Sequence, residues 1–159
     1  MKKQKIEIEK CRKLFRDSEL CLKKLISCKA FSRSDSTELP QKPGIYLLLK
    51  NNCPIYVGRT KNIRKRIHAH SRPSSTHFSA SFAFILAKIE AKKAGIRCDR
   101  SREELCNHPR FKRLFRKARE DVASMKIKFI EMENSELQAV FEVVAAVALK
   151  TPFNSFHTH

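Results

Sequence analysis

Two short apolar runs stand out in the pattern of hydrophobic and polar positions. Residues 45–49 and 55–57 are aliphatic or β-branched apart from one tyrosine in each, and polar residues separate the two runs. This pattern predicts a β-hairpin with a short polar turn. Tyr46 and Tyr56 are the only tyrosines of the chain. They share a face of the sheet only if paired residue numbers have an even sum, as when Leu48 lies opposite Tyr56 across an odd-length loop.

Helical spacing of apolar positions covers much of the remaining chain. Repeats of three and four residues predict helices over residues 3–30, over residues 61–70, from Ser79 or Ser81 to Ala94, and over residues 109–125. Gly95 can end the third of these helices, and Pro109 suits the start of the fourth. The charged residues 96–108 are predicted to form an irregular, solvated connector, and the alternative is a segment that contacts the substrate.

Two further elements are predicted near the end of the chain. Residues 126–132 alternate between lysine and apolar side chains, which predicts a third strand. The segment from Ser135 to Gln138 is typical of a capping box, and it opens a last helix that is mostly apolar.

The first helix carries one apolar face among lysines and arginines. We expect this face to pack on the core, and the alternative is an arm that contacts DNA or a second copy of the chain. The polar residues 31–40 indicate a linker. The predicted division is therefore an N-terminal helix and linker at 1–38 and a core domain at 39–159.

Charge narrows the choice of partner. Lys and Arg outnumber Asp and Glu by 34 to 16, which gives a net charge of +18. Such an excess indicates a polyanionic partner, most commonly nucleic acid. The chain has no run of about 18 apolar residues, so we expect a soluble cytoplasmic protein with no membrane partner. Its six cysteines lack Cys-x-x-Cys spacing, and we expect reduced thiols and no zinc site.

Several residues that could bind a ligand or act in catalysis follow the predicted hairpin in the sequence. Arg59 follows the second apolar run, and Arg66 and His70 share one face of the next helix. Such a collection suits a phosphate group. Glu142 is the sole acid in residues 137–159 and lies in the most apolar helix. A carboxylate there must be paired with an arginine, protonated or bound to a cation.

These residues resemble the signature of the GIY-YIG nucleases. The matching positions are Gly44-Ile45-Tyr46, Tyr56-Val57-Gly58, Arg66, His70, Glu142 and Asn154, in that order. The resemblance covers roughly residues 40–159. It implies an α+β fold in which a small three-stranded antiparallel sheet is flanked by helices, here with an extra N-terminal helix.

The resemblance also implies roles for the side chains around the hairpin. Tyr56 would act as the base, with its phenolate favoured by Arg59. Tyr46 would position the phosphate or the nucleophile.

The remaining roles also come from the resemblance. Arg66 would stabilise negative charge on the phosphoryl group, and His70 would orient a water molecule or a tyrosine. Glu142 would hold a single Mg²⁺ or Mn²⁺ ion. Asn154 would support the site.

Nucleic-acid contacts are predicted for basic residues outside this set. They are Lys61, Arg64, Lys65, Arg72, His77, Arg113, Arg116 and Lys117. The last three belong to a helix with an almost wholly cationic polar face, which either follows a duplex or is simply solvated. His77 is either a second histidine of the site or an ordinary loop residue.

The predicted function is therefore metal-dependent endonucleolytic hydrolysis of DNA, in restriction and defence or in repair. The DNA would be double-stranded or branched, and a homodimer on DNA is one way to cut both strands. The alternative is a non-catalytic DNA- or RNA-binding module, which would bind with salt sensitivity but would not hydrolyse its ligand.

Overall fold

The hairpin is formed by β1 (Gly44–Lys50) and β2 (Cys53–Thr60) in a computed structural model that describes residues 7–155. Leu48 pairs with Tyr56 and Tyr46 pairs with Gly58, so the register is the one given as an example from the sequence and lets the two tyrosines share a face. The prediction of an odd-length loop is wrong, because Lys50 pairs with Cys53. The turn contains only Asn51 and Asn52, at φ 51° and 64°, a conformation that asparagine tolerates well. A bulge between Tyr56 and Pro54 supplies the extra residue instead.

A third strand, β3 (Lys126–Glu131), completes the sheet in the order β2-β1-β3. The Met132 amide donates to the Pro43 carbonyl oxygen over 2.9 Å, at the end of β3 and the start of β1. The predicted α+β class, with a three-stranded antiparallel sheet and flanking helices, is confirmed.

The described chain divides into two compact units. The first holds the sheet with residues up to Ala30, Lys42–Ile63 and Ile127 onward, and the second holds Phe31–Gln41 and Arg64–Lys126. The predicted boundary at residue 38 stays a prediction.

In the first unit, α1 (Ile8–Ser27) and α6 (Ser135–Ala148) pack together and cover one face of the sheet. Their shared core contains Leu25, Ile45, Leu47, Val57, Phe141 and Ala145. The packing interpretation of the N-terminal helix is therefore supported, although residues 3–6 of the predicted helix lie outside the described residues.

The start and end of α6 differ from simple expectation. Oδ1 of Asn134 caps the helix by accepting from the Leu137 backbone amide over 2.9 Å, while Nε2 of the Gln138 side chain donates to the Met132 carbonyl oxygen. The predicted capping box at Ser135 is therefore wrong, because the N-cap is Asn134, one residue earlier. After the helix, Lys150 adopts φ 51° and the Thr151 amide donates to the Ala146 carbonyl oxygen, as in a Schellman motif.

The second unit is helical. It contains most of α2 (Ile63–Ser71), together with α3 (Ser81–Lys93), α4 (Arg102–Asn107), α5 (Pro109–Ala123) and a short 3₁₀ helix (Arg33–Glu38). Phe84 packs 5.3 Å from Phe111 between ring centroids. Gly95 follows α3 at φ 70°, and Pro109 starts α5, as predicted.

The prediction of an irregular connector at residues 96–108 is wrong in part. Ser101 and Glu104 form a reciprocal capping box that starts α4. This signal was present in the sequence, but the helix has only six residues, too few to show a clear apolar period. None of the helices within residues 7–155 has the length and hydropathy needed to cross a membrane.

Candidate active site

The two tyrosines form one side of the site in the first unit. Tyr46 is fully buried and Tyr56 is partly exposed, and their ring centroids lie 6.2 Å apart with the planes tilted by 45°. Tyr56 lies opposite Leu48, which is two residues after Tyr46 on β1. Side chains two residues apart on a strand point to the same face, so Tyr46 and Tyr56 project from the same face of the hairpin. The condition that the sequence set for a shared face, an even sum of paired residue numbers, is therefore met.

Gly58 makes this arrangement possible. A β-carbon on Gly58 would lie 2.5 Å from Cζ of Tyr46 and closer still to its hydroxyl oxygen. The Tyr46 ring therefore lies directly over the backbone of its cross-strand partner. Only glycine permits an approach this close.

Arg59 and Glu142 form the opposite side of the site. Arg59 pairs with Ile45, a core residue on the face that α6 covers. Its Nε lies 3.1 Å from Oε2 of Glu142, and the side chains are 52% and 26% exposed. Phe141 is buried in the core, which sets the helix so that Glu142 emerges at its side. The ion pair that the sequence left open as an alternative is therefore present.

Asn154 holds the outer edge of β2 between these two sides. Its Oδ1 accepts from the Val57 amide over 2.9 Å, and its Nδ2 donates to the Val57 carbonyl oxygen over 2.8 Å. The Thr151 hydroxyl donates to the same Oδ1. The Asn154 amide thus acts like one residue of a further strand. Its contacts are to the backbone next to Tyr56.

Five of the predicted catalytic residues therefore surround residues 56–59 of the edge strand. The tyrosine pair lies on one face, the ion pair lies on the other, and Asn154 lies at the edge. The contribution of Thr151 was not predicted, because a threonine after a helix gives no signal of a partner three residues later.

Arg66 and His70 belong to the second unit. The Arg66 guanidinium donates to the Ser79 carbonyl oxygen over 3.2 Å and to the Ser81 hydroxyl over 2.8 Å. His70 is 1% exposed, and its ring lies nearly perpendicular to that of Phe82, with centroids 6.4 Å apart. Burial, helped by the charge of Arg66, lowers the pKa of His70 to about 3. His70 is therefore a neutral imidazole at physiological pH.

The residues predicted to contact nucleic acid have different surroundings. Lys61 is exposed after β2, and Arg113, Arg116 and Lys117 are exposed on α5. Arg64 instead donates to the carbonyl oxygens of Leu39 and Thr37.

Lys65 and Arg72 line a groove of the second unit, whereas His77 packs its ring 4.2 Å from Phe78. The nucleic-acid roles of all these basic residues stay predictions.

Comparison with known proteins gives one family match and partial similarity to curated proteins. Residues 42–104 match the family model described as the GIY-YIG catalytic domain. UvrABC system protein C of Aquifex aeolicus is 51% identical over 35 residues, which is 22% of this chain and 6% of that protein. The protein of the same name from Deinococcus radiodurans is 33% identical over 63 residues, or 36% of this chain and 10% of that protein. The chain thus spans a tenth or less of the length of these relatives.

Comparison with solved structures gives matches from Thermotoga maritima. Two point mutants of the N-terminal GIY-YIG endonuclease domain of UvrC, each bound to its catalytic divalent cation, give TM-scores of 0.43 and 0.40 at 14% and 15% identity. Each comparison covers 77% of this chain, and 93% and 94% of the respective solved chains. Residues 42–104, which contain both tyrosine tripeptides, are thus the part of this chain that is similar to the GIY-YIG catalytic domain.

Proposed function

We propose that this chain is a divalent-metal-dependent endonuclease that hydrolyses DNA phosphodiester bonds at the site around β2. The observation that carries the proposal is the meeting of Glu142 with Arg59, 3.1 Å apart, beside the strand that bears Tyr56. An acid from the last helix thus reaches a cation of the hairpin across more than eighty residues of sequence. The net charge of +18 supports a polyanionic substrate.

In the proposed reaction, water attacks phosphorus and the bond to the 3′ oxygen breaks. Tyr56, whose side chain is partly exposed, accepts the proton of the attacking water. A phenol ordinarily ionises near pH 10, so a nearby positive charge is needed for this role. Tyr46 is held rigidly by burial and by the close contact with Gly58. It positions the Tyr56 ring beside it.

The residues at Glu142 fit a hydrated divalent cation. No group of three or more His, Cys, Asp or Glu side chains within the described residues could hold a metal ion. Mg²⁺ does not require such a group, because it keeps several waters and binds through one or two carboxylates plus phosphate oxygens. The Glu142 carboxylate is partly exposed and already accommodates the positive charge of Arg59. When bound there, the cation would stabilise charge on the phosphate oxygens and the leaving oxygen.

Arg59 has two possible partners in this scheme. Its guanidinium contacts Glu142 in the structure, and a phosphate is the other anion that it can bind in bidentate fashion. We infer that Arg59 moves from the carboxylate to the substrate when both are present. The roles of Arg66 in stabilising charge and of the neutral His70 in orienting a hydroxyl rest on the family resemblance.

A cleavage assay with matched variants tests the proposal. Supercoiled plasmid, linear duplex, branched DNA and single strands are incubated with the purified chain in Mg²⁺, in Mn²⁺ and in EDTA. We expect cutting only with metal. Glu142→Gln should lower the cutting rate by about a hundredfold or more, as loss of transition-state charge stabilisation does elsewhere. Glu136→Gln is the control, because Glu136 lies on the same helix but pairs with Lys10.

A second measurement separates a metal ligand from a structural acid. Saturating Mg²⁺ or Mn²⁺ should raise the melting temperature of the wild type and of Glu136→Gln, but not that of Glu142→Gln. Intact DNA under every condition would reject the enzyme and leave the non-catalytic binding module. Equal loss of cutting, DNA binding and thermal stability in Glu142→Gln would show that its pairing with Arg59 is structural.

A further inference from the structure

A basic groove with a volume of about 530 Å³ lies in the second unit, between α2 and the loop that leads to α3. We call it the α2–α3 groove. The charged or titratable side chains on α2 and just after it are Arg64, Lys65, His68 and Arg72, and the loop adds the hydroxyl residues Ser75 and Thr76. Arg64, His68 and Arg72 are four residues apart, so they form one stripe of the helix. Arg66 and His70 project from another side.

The wall of this groove is fixed by hydrogen bonds. Arg119 on α5 donates to the Ser75 carbonyl oxygen over 2.7 Å, and the Ser75 amide donates to the Arg72 carbonyl oxygen. The Thr76 hydroxyl and the Ser79 amide lie 3.4 Å apart. On the other side, Arg64 is held by backbone carbonyl oxygens. The groove is therefore preformed.

The chemistry of the groove matches a nucleic-acid backbone. Arginine, lysine and serine or threonine hydroxyls are the groups that most often contact phosphate oxygens and sugars. No acidic side chain belongs to the residues that line it. A polyanion with regularly spaced phosphates can therefore bind along the stripe on α2.

Phe78 adds a feature that phosphate binding does not explain. It is 73% exposed, the highest value among the exposed large hydrophobic side chains of the described residues. The others lie on α1 and α6, whereas Phe78 lies in the loop that lines the groove. The His77 ring supports it from one side at 4.2 Å, and His77 in turn lies 6.0 Å from Phe84. The ring is thus anchored beneath and open to solvent.

We propose that the α2–α3 groove and Phe78 bind an unpaired segment of DNA. Phosphates lie along the groove and one base stacks on Phe78, since exposed aromatic rings beside basic grooves bind single strands in this way. The bases of an intact duplex are already stacked and cannot reach the ring. This inference rests on the proposed function and specifies its substrate class as DNA with a single-stranded part, such as a flap or branch.

Binding in EDTA tests this inference separately from cutting. Fluorescence anisotropy is measured for the full chain with a single strand of about 16 nucleotides, with the duplex of the same sequence and with inorganic polyphosphate, which has no bases. Phe78→Ala should weaken single-strand binding by about fivefold or more. Its binding to duplex and polyphosphate should change by less than about twofold. Phe78→Tyr, which keeps a ring, should bind like the wild type.

Charge is tested with a matched pair of double variants. Lys65→Gln/Arg72→Gln removes two charges from the groove and should weaken single-strand binding and its salt dependence. Lys92→Gln/Arg97→Gln removes two exposed charges from α3 and the loop after it, outside the α2–α3 groove, and should have a smaller effect.

Three results would overturn the inference. The two double variants could lose the same affinity for the single strand. Phe78→Ala could bind the single strand as the wild type does, or it could lose as much affinity for polyphosphate as for the single strand. None of these results would decide whether the chain cuts DNA in the presence of metal. Conversely, absence of cutting with the expected binding pattern would reject the nuclease and keep the single-strand site.

Discussion

Gly58 offers a direct test of how tightly the tyrosine pair is held, because alanine at this position would push a methyl group into the ring of Tyr46. The new β-carbon would lie 2.5 Å from Cζ and 2.9 Å from Cε1 of that ring. Tyr46 has no exposed surface, so the ring has no solvent space into which it can move. The Gly58 backbone has no positive φ. The cost of Gly58→Ala is therefore steric.

The expected loss of unfolding free energy is about 2 to 3 kcal/mol, the upper part of the range for overpacking in a well-packed core. Gly95→Ala is the matched comparison, because it is the same substitution but is expected to destabilise the protein for a different reason. A β-carbon on Gly95 meets no atom within 4 Å, but its φ is +70°. That substitution should cost about 1 kcal/mol through the backbone alone.

Urea unfolding of a double-mutant cycle measures both effects. Without the Tyr46 ring, in a Tyr46→Ala background, Gly58→Ala should cost less than about 0.5 kcal/mol, whereas the cost of Gly95→Ala should not change. The m-values should stay constant. If Gly58→Ala were equally destabilising with and without the ring, the close contact could not be its cause.

Three further predictions concern the end of α6, the β2 edge and pH. Lys150 has a left-handed φ of 51°, so Lys150→Gly should raise the unfolding free energy in urea by about 0.5 to 1 kcal/mol; a loss would refute the strain. Asn154→Ala leaves the Val57 amide and carbonyl oxygen without these partners; it should cost about 1 to 3 kcal/mol and speed hydrogen exchange at Val57, whereas unchanged exchange would contradict the edge contact. Because burial lowers the pKa of His70 from 6.5 to about 3, the unfolded state binds more protons in that window. The unfolding free energy should therefore fall by about 1.4 kcal/mol for each pH unit by which the pH is lowered between these values. His70→Leu should flatten that slope in urea titrations at several pH values.

The sequence was most informative where local periodicity and the fold agree. The two tyrosines restricted the hairpin register to pairings with an even sum, because any one-residue slip would have sent Tyr46 and Tyr56 to opposite faces. Periodicity could not reveal where the extra residue lies, since a loop of three and a two-residue turn with a bulge give the same pairing at Leu48. Both asparagines of the turn adopt positive φ, and this signal favours the two-residue turn.

Contacts between distant residues were the hardest to predict. The sequence identified Glu142 as an acid that needed a partner, but it could not choose Arg59 from many cations. Likewise, a functional role for Asn154 came from the resemblance, whereas its two hydrogen bonds to Val57 depend on how the segment after α6 returns to the sheet. Such partners are set by tertiary packing, which one sequence does not encode in any local pattern.

The sheet order described above has a kinetic consequence. The central strand, β1, meets β2 across a turn of two residues, but it meets β3 only after the helical excursion of the second unit. Closing the loop of about 75 residues between β1 and β3 costs far more entropy than closing a tight turn. The hairpin can therefore form within microseconds while the third strand pairs late. The open side of β1 is thus the segment most exposed to off-pathway strand exchange during refolding. The same topology lets the excursion change in length with little effect on stability, because loop-closure entropy grows only logarithmically.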